Sequence, residues 1–134
     1  VILADTSGLL SLYNRREPTH TSVAEAVAQE QGPFVVSPYV VAELDYLVST
    51  RLGADAEQRV LVELASPAYV LASVDRDDLR ACTELISRYA GIGVTDASML
   101  VLADRLGIDR VLTLDRRHFE MVRSPAGRAL EIVP

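Results

Sequence analysis

The sequence predicts a three-layer α/β/α sandwich with a mainly parallel central sheet, and three observations carry that prediction. Short continuous apolar runs, Val1-Ile2-Leu3-Ala4, Phe34-Val35-Val36 and Val111-Leu112-Thr113-Leu114, have the length and β-branched content of strands covered on both faces. Longer stretches with helical periodicity separate them. Hairpin signals are few, so successive strands are expected to pair in parallel through crossover helices.

The first strand, Val1 to Ala4, ends at Asp5-Thr6-Ser7-Gly8, and Leu9, Leu10 and Leu12 then suggest a short helix. A second helix is expected from about Thr19 to Gln31, with Val23, Ala26 and Val27 on one face and Gly32-Pro33 as its stop. After the strand Phe34 to Val36, Ser37-Pro38 places an N-cap serine before a proline at the first helical position, which opens a helix to Leu52 closed by Gly53. Residues 55 to 65 read as an amphipathic helix ended by Ser66-Pro67, and Tyr69 to Ala72 as a third strand. Asp75 caps a helix to about Tyr89, with Asp78 in its favourable first turn. Gly91 to Val94 reads as a loop, and Thr95 as the cap of a helix from Asp96 to Leu106 that Gly107 ends. The fourth strand falls within Arg110 to Leu114, and a short fifth within Leu130 to Val133.

A chain of 134 residues, 49% of them hydrophobic, suits one domain spanning residues 1–134. No apolar run reaches the roughly 18 residues of a membrane span. The N-terminal run lacks a basic leader and a full hydrophobic region, so a cytoplasmic protein is expected. The lone Cys82 excludes an internal disulfide and offers no zinc-finger spacing. A net charge of −6 argues against broad coating of nucleic acid. Locally the balance differs: all 13 basic residues are arginine, and Arg110, Arg116, Arg117, Arg123 and Arg128 crowd the last quarter. Arginine pairs bidentately with phosphate, so Arg116 and Arg117 are candidates for a basic lip.

Four acids stand out. Asp5 and Asp115 each directly follow an apolar strand, which puts them at the carboxyl edge of a parallel sheet. A single Asp there commonly caps a helix, but the repetition at two strand ends points to a shared purpose. Glu43 has Tyr39, Val40, Tyr46 and Leu47 as helical neighbours, and Asp96 has Met99, Leu100 and Ala103, so both are expected to face inward. Asp45, Asp77, Glu84, Asp104 and Asp109 fall on polar sectors or loops and are expected to be solvated. An ionised carboxylate turned inward needs a cation or a donor. Oxygen ligands without His or Cys suit Mg²⁺ or Mn²⁺, and such a site serves phosphoryl chemistry.

The segments Asp5-Thr6-Ser7-Gly8-Leu9-Leu10, Ser37-Pro38-Tyr39-Val40-Val41-Ala42-Glu43-Leu44, Thr95-Asp96-Ala97-Ser98 and Thr113-Leu114-Asp115-Arg116-Arg117-His118-Phe119, in this order, resemble the PIN-domain ribonucleases, most closely the VapC-type toxins of bacterial toxin–antitoxin pairs. The resemblance spans essentially the whole chain. It implies that Asp5, Glu43 and Asp96 are core metal ligands and Asp115 the fourth, with Ser7 and secondarily Thr6 hydrogen-bonding a ligand or bound water, and Thr113 orienting Asp115. It further implies Mg²⁺-dependent endonucleolytic cleavage of RNA to 5′-phosphate and 3′-hydroxyl ends, a homodimer, and inhibition by a small VapB-type antitoxin.

Rival readings fit less well. A haloacid-dehalogenase-type phosphatase wants a second Asp two residues after the first, where this chain has Ser7, and a receiver domain needs a lysine that the chain lacks. A non-catalytic domain that binds a basic partner through its acids, or a PIN nuclease outside a toxin–antitoxin pair, are the alternatives carried forward. His20 is expected at the surface, as is His118, with contact to substrate phosphate its second reading. Tyr39 and Tyr46 are expected in the core or a dimer contact rather than stacked on a base.

Overall fold

A computed structural model describes residues 1–134. Five strands, β1 (Ile2–Ala4), β2 (Phe34–Val36), β3 (Tyr69–Leu71), β4 (Arg110–Leu112) and β5 (Glu131–Val133), form one sheet in the order β3-β2-β1-β4-β5. Every pairing is parallel, with Ile2 beside Phe34, Leu3 beside Val111, Phe34 beside Tyr69 and Arg110 beside Glu131. Seven helices make the connections: α1 (Thr6–Tyr13), α2 (His20–Gln29), α3 (Pro38–Leu52), α4 (Ala54–Leu64), α5 (Arg76–Arg88), α6 (Val94–Leu106) and α7 (Arg116–Met121). The α/β class with a parallel sheet is therefore the one the strand and helix patterns anticipate.

Burial explains the order. Ile2, Leu3 and Ala4 are fully buried at the centre, whereas Val70 and Leu71 on the edge strand β3 are 44% and 56% exposed. From β1 the chain builds outward through β2 to β3, then returns to the other side of β1 for β4 and β5. The winding thus reverses between β1 and β4, and the crevice that opens at the carboxyl ends of strands at such a point is where α/β folds bind ligands. Asp5 and Asp115 lie at those ends.

Several local expectations are corrected by the packing. On α3 the buried stripe is Val40, Leu44 and Val48, one position off the line through Glu43. Glu43 is accordingly exposed at the mouth of a cleft, Tyr46 is 67% exposed rather than core, and Asp45 is half-buried against Glu57 of α4. That helix has apolar residues over too wide an arc for a wheel to select one centre. Asp104 is not a solvated acid either: it pairs with Arg128 and accepts the Ala126 N–H. His20 is half-buried, its Nδ1 2.8 Å from the Ser11 carbonyl, and so ties α2 to α1. The cap of α6 is Gly93, with Thr95 inside the first turn and its hydroxyl free to reach Glu43. Asp75 and Asp78 form the capping box of α5 that their spacing anticipates.

Gly8 shows how tightly α1 sits on the sheet. A Cβ there would lie 2.8 Å from the Leu112 carbonyl oxygen and 2.9 Å from its Cγ. In an open helix Gly→Ala gains about 1 kcal/mol. Overpacking against backbone costs about 1–3 kcal/mol, and a carbonyl of a central strand cannot rotate away. Gly8→Ala should therefore lower the urea midpoint, with the slope unchanged; a stabilised variant would mean that α1 can lift off β4 without cost.

Candidate active site

The cleft at the carboxyl edge is built around Asp5, the first residue after β1 and only 5% exposed. Its N–H donates to the Leu112 carbonyl, 2.9 Å, which pins it beside β4. Two hydroxyls donate to the same oxygen, Oδ2: Thr113 at 2.7 Å and Ser7 at 2.9 Å. Each of those hydroxyls in turn accepts a backbone N–H of the next loop, Asp115 on Thr113 and Leu114 on Ser7, both 3.0 Å. A hydroxyl has one proton to give, so the directions are fixed: the loop after β4 donates to two hydroxyls, and both donate to Asp5. Neither side-chain donor uses the other oxygen of Asp5. Burial raises the Asp5 carboxyl above its ordinary value, the two hydroxyls pull it down, and nearby Glu43 pushes it up again.

Asp115 caps α7, its Oδ1 accepting the His118 N–H at 3.3 Å. Its Oδ2 lies 2.8 Å from His118 Nδ1, and the same ring nitrogen is 3.9 Å from Asp96. His118 thus belongs to the cleft rather than to a remote surface, an arrangement that one turn of α7 produces and that the sequence hid, because no helical pattern marks six residues. Asp96, in the first turn of α6, has its carboxyl raised to about 6, chiefly by burial and then by Asp5, with His118 opposing and Asp115 and Glu43 adding repulsion.

A second relay holds α3 and α6 in register. The buried Ser98 hydroxyl donates to the Thr95 carbonyl, 2.7 Å, so the 2.8 Å contact between Ser37 and Ser98 has Ser37 as donor. Ser37 simultaneously caps α3 through the Tyr39 N–H. These two serines touch none of the acids, yet they join the helix carrying Glu43 to the helix carrying Asp96. Thr95 adds a direct link, donating to Glu43 Oε2 at 3.4 Å.

The resulting cleft has a volume of about 340 Å³ and is lined by Asp5, Glu43, Asp96 and Asp115 together with Thr6, Ser7 and His118. Thr113 lies beneath it, holding Asp5. Arg116 and Arg117 are exposed on α7 and do not line it; Arg116 reaches the Pro134 carbonyl and Glu120 instead.

The donor set is informative by contrast with three other shielded acids. Asp78 is paired with Arg105, Glu30 with Arg110 and Asp104 with Arg128. None of the four cleft acids has an arginine; one imidazole is their only side-chain nitrogen neighbour. The carboxylates ring the cleft without three of them closing on one point. Oxygen donors that repel one another and leave room for water fit Mg²⁺ or Mn²⁺, which keep part of their hydration shell.

Comparison with known proteins places the chain in a family. The family profile of the PIN domain matches residues 2–124. Ribonuclease VapC26 of Mycobacterium tuberculosis is 44% identical over 135 residues, covering 99% of this chain and 100% of that protein. Among solved structures, VapC20 of Mycobacterium tuberculosis, described as a sarcin-ricin loop cleaving toxin, aligns with a TM-score of 0.85 at 21% identity over 100% of both chains. A toxin–antitoxin complex from Klebsiella pneumoniae aligns with a TM-score of 0.75 at 18% identity, over 100% of this chain and 97% of that one. At those identities the two structures show a shared fold. The chain belongs to the PIN-domain family and, within it, to the VapC-type ribonucleases.

The raised Asp96 carboxyl has a consequence for the metal-free protein. Its folded value near 6 exceeds the ordinary 3.8, so the folded state holds the proton more tightly than the unfolded state does. The contribution of Asp96 to stability is then greatest below about pH 4 and falls as pH rises through 6, the reverse of a salt-bridged Asp. In the presence of a chelator, Asp96→Asn should gain melting temperature over wild type progressively between pH 4 and 6.5. A constant difference across that window would show that Asp96 is not held against its neighbours' charge.

Proposed function

We propose that the chain is the toxin of a toxin–antitoxin pair, a Mg²⁺- or Mn²⁺-dependent endoribonuclease that works in the cytoplasm as a homodimer and is held in check by a VapB-type antitoxin. The observation that carries this reading is the cleft itself: Asp5, Glu43, Asp96 and Asp115, from four separate parts of the chain, face one space with no arginine among them. Membership of the VapC-type ribonucleases supports RNA as substrate. The structural neighbour solved as a toxin–antitoxin complex supports the partner, and no helix is long and apolar enough to cross a membrane. The homodimer follows from the family resemblance.

Asp5, Glu43 and Asp96 would hold the cation, and Asp115 would complete the set. When bound, such an ion lowers the pKa of a water and neutralises charge that builds on the phosphoryl group. The chain's own part is positioning. Thr113 and Ser7 hold Asp5 in one rotamer and favour its ionised form against the effect of burial, which leaves its second oxygen free of side-chain donors. The Ser37–Ser98 contact sets the spacing of Glu43 and Asp96. Thr6, at the start of α1, and Ser7 line the wall against which a phosphate would rest. The same unpaired acids are complementary to a guanidinium, so an antitoxin arginine is the expected plug.

Asp5→Asn and Asp96→Asn change one charge with little change in volume. Each should reduce RNA cleavage in Mg²⁺ by more than about a hundredfold, the scale of a lost electrostatic stabiliser, while the fold survives. Wild-type rates in either variant would reject the assignment and favour a non-catalytic acidic pocket. Millimolar Mg²⁺ or Mn²⁺ should raise the wild-type melting temperature, because a ligand that binds only the folded state stabilises it. Asp5→Asn should abolish most of that rise and Asp115→Asn less of it; identical melts with and without metal, in wild type, would count against a shared cation site.

A further inference from the structure

Arg15, Arg16, Arg51 and Arg59 line a cavity of about 300 Å³ where the turn after α1 meets the corner between α3 and α4, and no carboxylate lines it. All four are exposed. The ion pairs of this chain are made by other arginines, Arg80, Arg105, Arg110, Arg116 and Arg128. Four unpaired guanidinium groups at one place repel one another, and in a protein of net charge −6 they form a local exception that the folded state does not use.

Their position relative to the acids gives them a purpose. Helices α1 and α3 pack side by side and both start at the carboxyl edge of the sheet. On α3, Glu43, Leu47 and Arg51 follow one another at i, i+4 and i+8, and so share a face. On α1 and its cap, Thr6, Leu10 and Asn14 do the same. Leu10 and Leu47 line the acidic cleft; Asn14 and Arg51 line the arginine cavity. The two cavities therefore lie at opposite ends of the α1–α3 seam, and a strand joining them would follow that seam as its groove. Eight residues at 1.5 Å per residue separate Glu43 from Arg51, about 12 Å along the helix.

We infer that this groove is an RNA-backbone site, in which a strand with its scissile phosphate at the acids lays flanking phosphates on Arg15, Arg16, Arg51 and Arg59. The inference rests on the ribonuclease reading and adds where the substrate runs. An acidic cleft repels a polyanion, so productive binding needs cations close by but outside the cleft, where they cannot neutralise the carboxylates that hold the metal. Arginine forks suit phosphate oxygens bidentately. The half-buried Leu47 beside the cleft offers ribose or base a surface that carries no charge.

The test uses the full chain in an Asp96→Asn background with Mg²⁺, so that RNA is bound and not cut. Fluorescence anisotropy of a labelled single-stranded dodecamer and of a trinucleotide is measured against salt for Arg51→Ala/Arg59→Ala and Arg15→Ala/Arg16→Ala. Each pair should weaken dodecamer binding at least about tenfold at low salt and flatten the log–log salt slope by about 1.4, at roughly 0.7 for each phosphate that is no longer neutralised. Trinucleotide binding and melting temperature should hold, and Arg51→Lys/Arg59→Lys should keep most of the slope. Unchanged dodecamer affinity and slope overturn the groove, as does retained RNA affinity with lost affinity for an acidic partner protein. The two readings fail separately: wild type that cuts no RNA, yet shows the arginine-dependent slope, keeps the groove and removes the nuclease.

Discussion

Everything at the carboxyl edge depends on the two hydroxyls that hold the almost wholly buried carboxyl of Asp5. Desolvation drives its carboxyl toward the neutral acid, and two hydroxyl donors on one oxygen work against that drive. The same two hydroxyls accept the N–H groups of Leu114 and Asp115. One buried carboxyl thereby fixes the path of the loop after β4, and with it the position of Asp115 as the cap of α7. The strand-end acids are not independent ornaments of two strands; they are the two ends of one hydrogen-bonded unit.

The helices supply the other half by a different device. α6 is buried from Ala97 to Ala103, so it can neither rotate nor slide without opening the core. Ser98, inside that buried run, reaches Ser37 at the start of α3. A rigid helix and a single hydroxyl contact hold Asp96 and Glu43 across the cleft from Asp5. The raised Asp96 carboxyl reflects burial first and then repulsion from Asp5, Asp115 and Glu43. A cation is the natural relief.

Charge is divided along the molecule in the same spirit. Arginines elsewhere neutralise Asp78, Glu30 and Asp104, leaving the cleft acids bare, and four unpaired arginines gather near the far ends of α1 and α3. The end of the chain richest in arginine supplies fewer free guanidinium groups than its count suggests: Arg110 and Arg128 are consumed in ion pairs and Arg116 partly so. Counting charges along a sequence locates basic residues, whereas only pairing shows which remain available.

The sequence by itself determined the class of fold and the candidate acids, because both are written in local signals. Continuous apolar runs mark buried parallel strands, Ser37-Pro38 and Asp75 with Asp78 mark helix starts, and an Asp directly after a strand must lie at the sheet's carboxyl edge. Tertiary structure decided what depends on relative placement. It turned Glu43 to the mouth of the cleft rather than into the core, buried Asp45 against Glu57, brought His118 to Asp115, and set Arg15 and Arg16 beside Arg51 and Arg59. Those facts turn on angles of a few tens of degrees around α3 and on contacts between residues far apart in the chain. Helical periodicity is too coarse to resolve the first, and no local energy term contains the second.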